Sequence, residues 1–367
     1  MKVLHILHHS LTPARYYNDE STKFAIEIAK RTREFSLECW RPDTSVKKML
    51  VSTDIYGIVH KVFPSIFLRH GLEAPIRLLQ AIKTESPDVI VHVHGMHSIP
   101  SNMIILSAKG KKVVAHSHGA LQYPLISLKH PLRLTATLME QRILRRIDYY
   151  FAHSREELNY YSKFFKDRIK IVRAGINTEL FNQKDKFESR KLVGLQDEDK
   201  IVLFVGGLIE ARGVHHLIKA MEKMNATLVI IGSGKDEEKF RNLAKKLNVK
   251  AVFLGWKDNA ELPNYYNSAD VYVNPGVIGG LTSVVEAMAC GTPTISTPLV
   301  PSLIDIPEAK EFIKVIPYGD VKMLRKAIEE ILNSGIRVPK GLMEKYSWDE
   351  IVRIIIEVYR ELTEGGK

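Results

Sequence analysis

Short apolar runs alternate with stretches of helical period along almost the whole chain. Runs at Lys2–Leu7, Val89–His94, Lys112–His116, Tyr149–Ala152 and Ile169–Arg173 predict strands in the first half. Ile201–Val205, Thr227–Ile231, Val252–Leu254, Val271–Val273 and Thr294–Ser296 do so in the second. Several are apolar at consecutive positions, which a strand needs only when helices cover both faces of its sheet. Between them, apolar positions three and four apart predict helices over Ser21–Thr32, Pro75–Thr84, Leu132–Arg146 and Arg155–Tyr161. The same spacing predicts Val214–Lys223, Asp236–Leu247, Leu262–Ser268, Leu281–Ala289, Val321–Leu332 and Trp348–Leu362. Strand–helix alternation of this kind predicts an α/β fold of two parallel-sheet domains. The rhythm breaks at residues 174–200, a polar and charged stretch where the domain boundary is expected.

Composition narrows the class. The chain has 367 residues, 45% hydrophobic and 26% charged, which excludes disorder, collagen and coiled coil as the main architecture. No apolar run reaches the roughly 18 residues of a membrane span. The opening MKVLHILHHS lacks a basic region followed by a long apolar one, so no secretory leader is expected. Cys39 and Cys290 stand alone without metal spacing and read as small core residues, which points to the reducing cytoplasm. Charge is lopsided. Residues 1–180 carry 27 Lys and Arg against 16 Asp and Glu, whereas 181–367 carry 26 of each. Twelve of the 14 histidines also lie in the first half. A cationic half suits anionic lipid or a phosphorylated substrate. No nucleic-acid motif accompanies it, so nucleic acid is not an expected partner.

Ligands of open parallel sheets bind outside the carboxyl ends of the strands, so the residues after each strand carry the candidate chemistry. Ile201–Val205 runs into Gly206-Gly207, and Arg212-Gly213 opens the next helix. Glycine there lets backbone amides and a helix start approach a phosphate, with Arg212 as the cation. Gly232-Ser233-Gly234 and Gly279-Gly280 are further glycine turns at the same predicted edge. The helix LTSVVEAMA follows, with Thr282 or Ser283 as its expected cap and Glu286 as an acid among apolar residues. Such a carboxylate can accept two hydroxyl hydrogen bonds, as from a ribose diol.

Taken together, FVGGLIEARGVHHLIKAM, LVIIGSGKDEEKFRNLA, VFLGWKDNAELPNYYNSADVYVNPG and LTSVVEAMACGTPTIST resemble the GT-B glycosyltransferases of family 4. In the first half PDVIVHVHG, VVAHSHG, IDYYFAHSREEL and VRAGINTELF agree with that family, as does the ending YSWDEIVRIIIEVYREL. The resemblance implies two Rossmann-like domains facing each other across a cleft. Residues 1–180 would be the acceptor side, 181–345 the donor side, and 346–367 a terminal helix crossing back. It implies transfer of a sugar from a nucleotide-sugar to a sugar or lipid-linked acceptor, with retention and without a metal. Arg212 would hold the donor diphosphate with Gly206, Gly207, Gly232, Gly234 and the amides of Leu281, Thr282 and Ser283. Glu286 would bind the ribose and the turn at Trp256 the base. His118 would sit near the transferred sugar, with Asn18, His94 and His97 on the acceptor side. Arg212 and His118 are the expected catalytic pair. The co-substrate would be a UDP- or GDP-sugar, with no other cofactor. The cytoplasm, with contact to the anionic inner face of a membrane, is the expected location.

The chain also departs from the family's pattern. Gly207 stands where the family usually has an arginine, and Ile278 or Gly279 where it has the first acid of a Glu-x7-Glu pair. Asn18-Asp19-Glu20 stands where a Gly-Gly loop is common. Two other functions therefore stay open at this point: a nucleotide-sugar epimerase, and a non-catalytic nucleotide-sugar-binding subunit. Asp197-Glu198-Asp199 precedes a strand rather than following one, so it reads as a solvated charge run and not a metal motif. His92, His94, His97, His116 and His118 end adjacent strands and read as hydrogen-bonding groups. Two segments, Lys61–Leu72 and Leu132–Arg146, mix cationic and apolar residues in the manner of a membrane-surface contact.

Overall fold

The computed structural model describes residues 1–7, 20–67, 73–95, 98–117, 140–173, 175–195, 200–298 and 309–364. The chain divides into two compact units, Met1–Ala174 with Asp349–Lys367, and Gly175–Trp348. The division falls at 174/175 rather than at 180. Ile176 and Phe181 are buried in the core of the second unit, which draws the start of the linking segment into it.

The first unit holds an eight-stranded sheet in the order β10-β9-β8-β7-β1-β2-β4-β3. Its strands are β1 (Lys2–Ile6), β2 (Ser36–Asp43), β3 (Leu50–Thr53), β4 (Val59–Pro64), β7 (Val89–His94), β8 (Lys112–His116), β9 (Tyr149–Ala152) and β10 (Ile169–Ile171). Within this sheet only β3 pairs antiparallel, at the edge, and β5 (Ile66–Phe67) and β6 (Glu73–Ala74) form a separate antiparallel pair. Alternation sorts the two faces. Leu4, Ile6, Val91 and Val93 pack with Leu78 and Ile104 on one side. Residues of the opposite parity, His5, His92, His94 and His116, meet Phe24 and Tyr359 on the other. The Trp348–Glu364 helix belongs to this unit from Asp349 onward. It is held there by buried Ile355, Val358 and Tyr359, and by Arg360 on Glu34 at 2.7 Å.

Three strands of this sheet were invisible to the apolar pattern. β2, SLECWRPD, carries charges at Glu38, Arg41 and Asp43, yet all but its first residue are buried. The charges are tolerated because each is partnered: Arg41 to Asp43 at 2.9 Å, and Glu38 to Lys61 at 2.8 Å and to the Trp40 indole at 2.7 Å. That pairing accounts for the first residues of Lys61–Leu72, the segment read above as a membrane-surface contact. Lys61 lies over Trp40, Val62 and Phe63 are buried in β4, and residues 68–72 lie outside the described part.

The second unit holds a six-stranded, wholly parallel sheet in the order β13-β12-β11-β14-β15-β16. These are Ala251–Phe253, Thr227–Ile231, Ile201–Val205, Val271–Asn274, Thr294–Ser296 and Ile313–Val315. Both faces are covered. Leu203, Val205, Val229 and Ile231 meet Tyr266, Val284 and Met288, while Val202, Phe204, Leu228 and Ile230 meet Leu217, Phe240 and Ile328. Within 174–200, expected to be irregular, a helix forms at Lys186–Val193, started by Asp185 and ended by Gly194 in the left-handed region. The strand order reverses between β11 and β14, the switch point at which open α/β sheets bind ligands.

Candidate functional site

The loops after β11 and β14 meet at that switch point. Val277 N–H donates to Ala211 O at 2.9 Å, tying the two loops together. The Arg212 guanidinium lies between them. Its Nη1 donates to Ile278 O at 2.8 Å, and it is 5.9 Å from the Phe204 ring. A Cβ on Gly206 would overlap Arg212 Nη2, and one on Gly279 would come within 2.6 Å of Nη1. These two glycines are what make room for the cation. Nε of Arg212, buried and fixed in this sandwich, has no hydrogen-bond partner among the described residues.

The Leu281–Ala289 helix starts beside this arginine. The expected cap by Thr282 or Ser283 is not formed. The N-cap is Gly280, at φ +91°, with no side-chain cap bond. Thr282 and Ser283 stand inside the first turn, because the chain reverses sharply through Gly279-Gly280 only in the left-handed region. The first helical bond is Val284 N–H to Gly280 O at 3.0 Å, so the amides of Leu281, Thr282 and Ser283 have no acceptor among the described residues. An uncapped helix start with its partial positive charge beside an arginine is a built anion site.

Asn274, at the end of β14, was not singled out from the sequence. It is fully buried, its Nδ2 reaches Ser296 Oγ at 3.3 Å, and its Oδ1 has no partner among the described residues. A polar residue ending the apolar strand VYVN was the signal that could have found it. Glu286, two turns into the helix, is 8% exposed and accepts the Tyr266 hydroxyl at 3.1 Å. Burial and the Glu286 charge push the Tyr266 phenol well up, so it remains a donor to the carboxylate. Tyr272 is raised to about 12 by burial, against the pull of Arg212.

The remaining donor-side residues line the same edge. Gly232 N–H donates to Gly255 O at 2.8 Å, and a Cβ on Gly232 would overlap Gly206 O. Gly234 packs in the same way on Leu208. Gly207 is exposed and has open space beside it. Trp256 follows Gly255 and is 66% exposed.

In the first unit His118, Asn18 and His97 lie outside the described residues. His94 is 1% exposed, and its Nε2 lies 2.9 Å from Nδ1 of His5. It is a core group rather than an open acceptor-side one, because β7 is buried at every position. His92 Nδ1 lies 2.6 Å from the Tyr359 hydroxyl. The ring nitrogens of His5, His92 and His94 all fall within 4.8 Å of one another, near enough for a metal. His5 Nδ1 and His94 Nε2 bond each other, and His92 Nδ1 bonds the Tyr359 hydroxyl. Ser117, the residue before His118, donates to the buried carboxylate of Glu157 at 2.8 Å.

Comparison with known proteins places these features. Residues 185–355 match the family described as glycosyl transferases group 1, and residues 37–180 match Glycosyltransferase Family 4. An uncharacterized glycosyltransferase of Methanocaldococcus jannaschii is 34% identical over 213 residues, 53% of this chain and 54% of that protein. A D-inositol 3-phosphate glycosyltransferase of Mycobacterium marinum is 23% identical over 250 residues, 63% of this chain and 53% of that one. The chain thus matches about half the length of these curated relatives. Among solved structures, sucrose-phosphate synthase from Thermosynechococcus elongatus superposes with a TM-score of 0.69 at 20% identity, covering 100% of both chains. Anabaena HepE in complex with UDP does so with 0.71 at 16%, covering 98% of this chain and 100% of that one. These likenesses show the fold.

Proposed function

The chain belongs to the group 1, family 4 glycosyltransferases of GT-B fold, and from that premise we propose that it moves a sugar from a UDP- or GDP-sugar to a sugar or lipid-linked acceptor, with retention and without a metal. The observation that carries the reading is the pairing, at one switch point, of Arg212 with the uncapped amides of Leu281, Thr282 and Ser283. A leaving diphosphate develops negative charge as the bond from the sugar's C1 breaks. Donors already fixed in place lower that barrier because they need not reorganise. The Arg212 guanidinium and the three amides supply such donors. Glu286, kept in place by Tyr266, takes the ribose hydroxyls, and the exposed face of Trp256 borders the base. HepE, bound to UDP and UDP-glucose in solved structures, supports the nucleotide-sugar part of the reading. His118 is assigned to the transferred sugar. The site of action is the cytoplasmic face of a membrane.

Calorimetric titration with UDP and GDP tests the donor site. Arg212→Ala removes a charge-assisted contact and should weaken the preferred nucleotide by about 1.5–3 kcal/mol. Glu286→Gln should weaken it too, with the melting temperature of the protein little changed. Unaltered nucleotide affinity in both variants would overturn the assignment.

A further inference from the structure

The loop 275–280, between β14 and the Leu281–Ala289 helix, is fastened residue by residue to the rest of the second unit. Gly276 O accepts the Thr297 hydroxyl at 2.5 Å. Val277 N–H donates to Ala211 O at 2.9 Å, and Ile278 O accepts Arg212 Nη1 at 2.8 Å. Gly279 O accepts Nδ2 of Asn274 at 3.4 Å. Backbone contact tightens the same seam. A Cβ on Gly213 would overlap Pro275 O, and one on Gly276 would come within 2.8 Å of Arg212 Cα.

Two of these anchors are side chains beneath the loop. Asn274 is 0% exposed and Thr297 1%, so each acts on the loop from inside. A Cβ added to Gly280 would lie between 2.4 and 2.6 Å from Oδ1, Cγ and Nδ2 of Asn274, so the side-chain amide seats against the residue that begins the helix. Burial of the strand VYVN does not by itself call for an amide. Asn274 Oδ1 has no hydrogen-bond partner among the described residues, a cost that an apolar residue would avoid. The turn at Gly279-Gly280 is what the amide serves. Thr294, in β15, gives the internal comparison. It is as buried as Thr297, yet its Oγ1 has no partner among the described residues. What sets Thr297 apart is its hydroxyl on Gly276 O.

We propose that Asn274 and Thr297 are positioning residues for the donor diphosphate. They fix the loop so that Arg212 and the amides of Leu281, Thr282 and Ser283 face one anion without rearrangement. Donors held in advance lose little loop entropy when the ligand binds, and they favour the charge that grows on a leaving diphosphate. The inference rests on the donor reading above and adds the buried side chains that build its anion site.

Calorimetry on the full chain with UDP, GDP, uridine and guanosine tests it. A positioning role for the anion site acts on the diphosphate and spares the nucleoside, whereas general damage to the fold weakens both. Asn274→Ala and Thr297→Val should each lower affinity for the preferred nucleotide about 5- to 10-fold, with affinity for its nucleoside unchanged. Thr294→Val removes a hydroxyl of the same kind that holds no loop, and should change nucleotide affinity by less than about 2-fold. Circular dichroism checks that each variant is folded. Loss of diphosphate affinity alone, in both Asn274→Ala and Thr297→Val, supports the proposal. Unchanged nucleotide affinity in either of them, while Arg212→Ala weakens it, overturns the proposal and leaves the donor reading standing. Equal loss of nucleotide and nucleoside, or an equal loss in Thr294→Val, also overturns it. A wild type that binds neither nucleotide overturns the donor reading, and the proposal with it.

Discussion

His5 makes the first unit sensitive to acid. It is fully buried in β1, with His94 at 2.9 Å and the His92 ring centroid at 4.9 Å. The Tyr359 hydroxyl of the terminal helix closes the group at 3.4 Å. Burial alone drives its pKa from 6.5 down to about 3, so the folded state keeps it neutral. In the unfolded chain it titrates near 6.5. Below that pH the unfolded state binds a proton that the folded state refuses, and stability is lost as pH falls from about 6.5 toward 3. At about 1.4 kcal/mol per pH unit, a shift from pH 7 to pH 5 costs about 2 kcal/mol through His5. The full window costs about 5 kcal/mol, comparable with the whole stability of a small domain. Urea unfolding read by hydrogen exchange in peptides from β1 and β7 would measure this unit by itself. His5→Gln, which cannot take up a proton in this range, should be less stable at pH 7 but lose about 2 kcal/mol less on going to pH 5. Equal losses in the wild type and His5→Gln would refute the reasoning.

Two further outcomes follow from the loops of the second unit. Gly207→Arg places a guanidinium in open space beside Arg212, so the melting temperature should hold while UDP or GDP binds tighter, by about 1.5 kcal/mol in calorimetry; weaker or unchanged binding would separate Gly207 from the diphosphate. Gly232→Ala drives a Cβ into Gly206 O at φ +128° and should cost more than about 1 kcal/mol in urea unfolding, whereas a neutral effect would mean that the close approach of the two loops is not needed.

Much was legible in the chain itself. A strand buried on both faces must be apolar at consecutive positions, so IVLFV, TLVII and VIVHVH declared themselves and their helices filled the gaps. The glycine turns and Arg212 were also legible, because only glycine lets two backbones approach so closely, and ligands gather at strand carboxyl ends whatever the rest of the fold. Tertiary structure decided what depends on partners distant in sequence. SLECWRPD became a buried strand because Lys61, on the neighbouring β4, pairs with Glu38, while Arg41 and Asp43 pair within it. His94 turned inward because the parity of β7 puts it on the same face as His92, which lies opposite His5 in a strand pairing that no local pattern announces. Lys61, Val62 and Phe63 belong to β4, whose pairing with β2 no local pattern announces. Local sequence sets which residues can enter a core or a turn. Which charges meet, and which are left unpaired, depends on the order in which the strands are laid side by side.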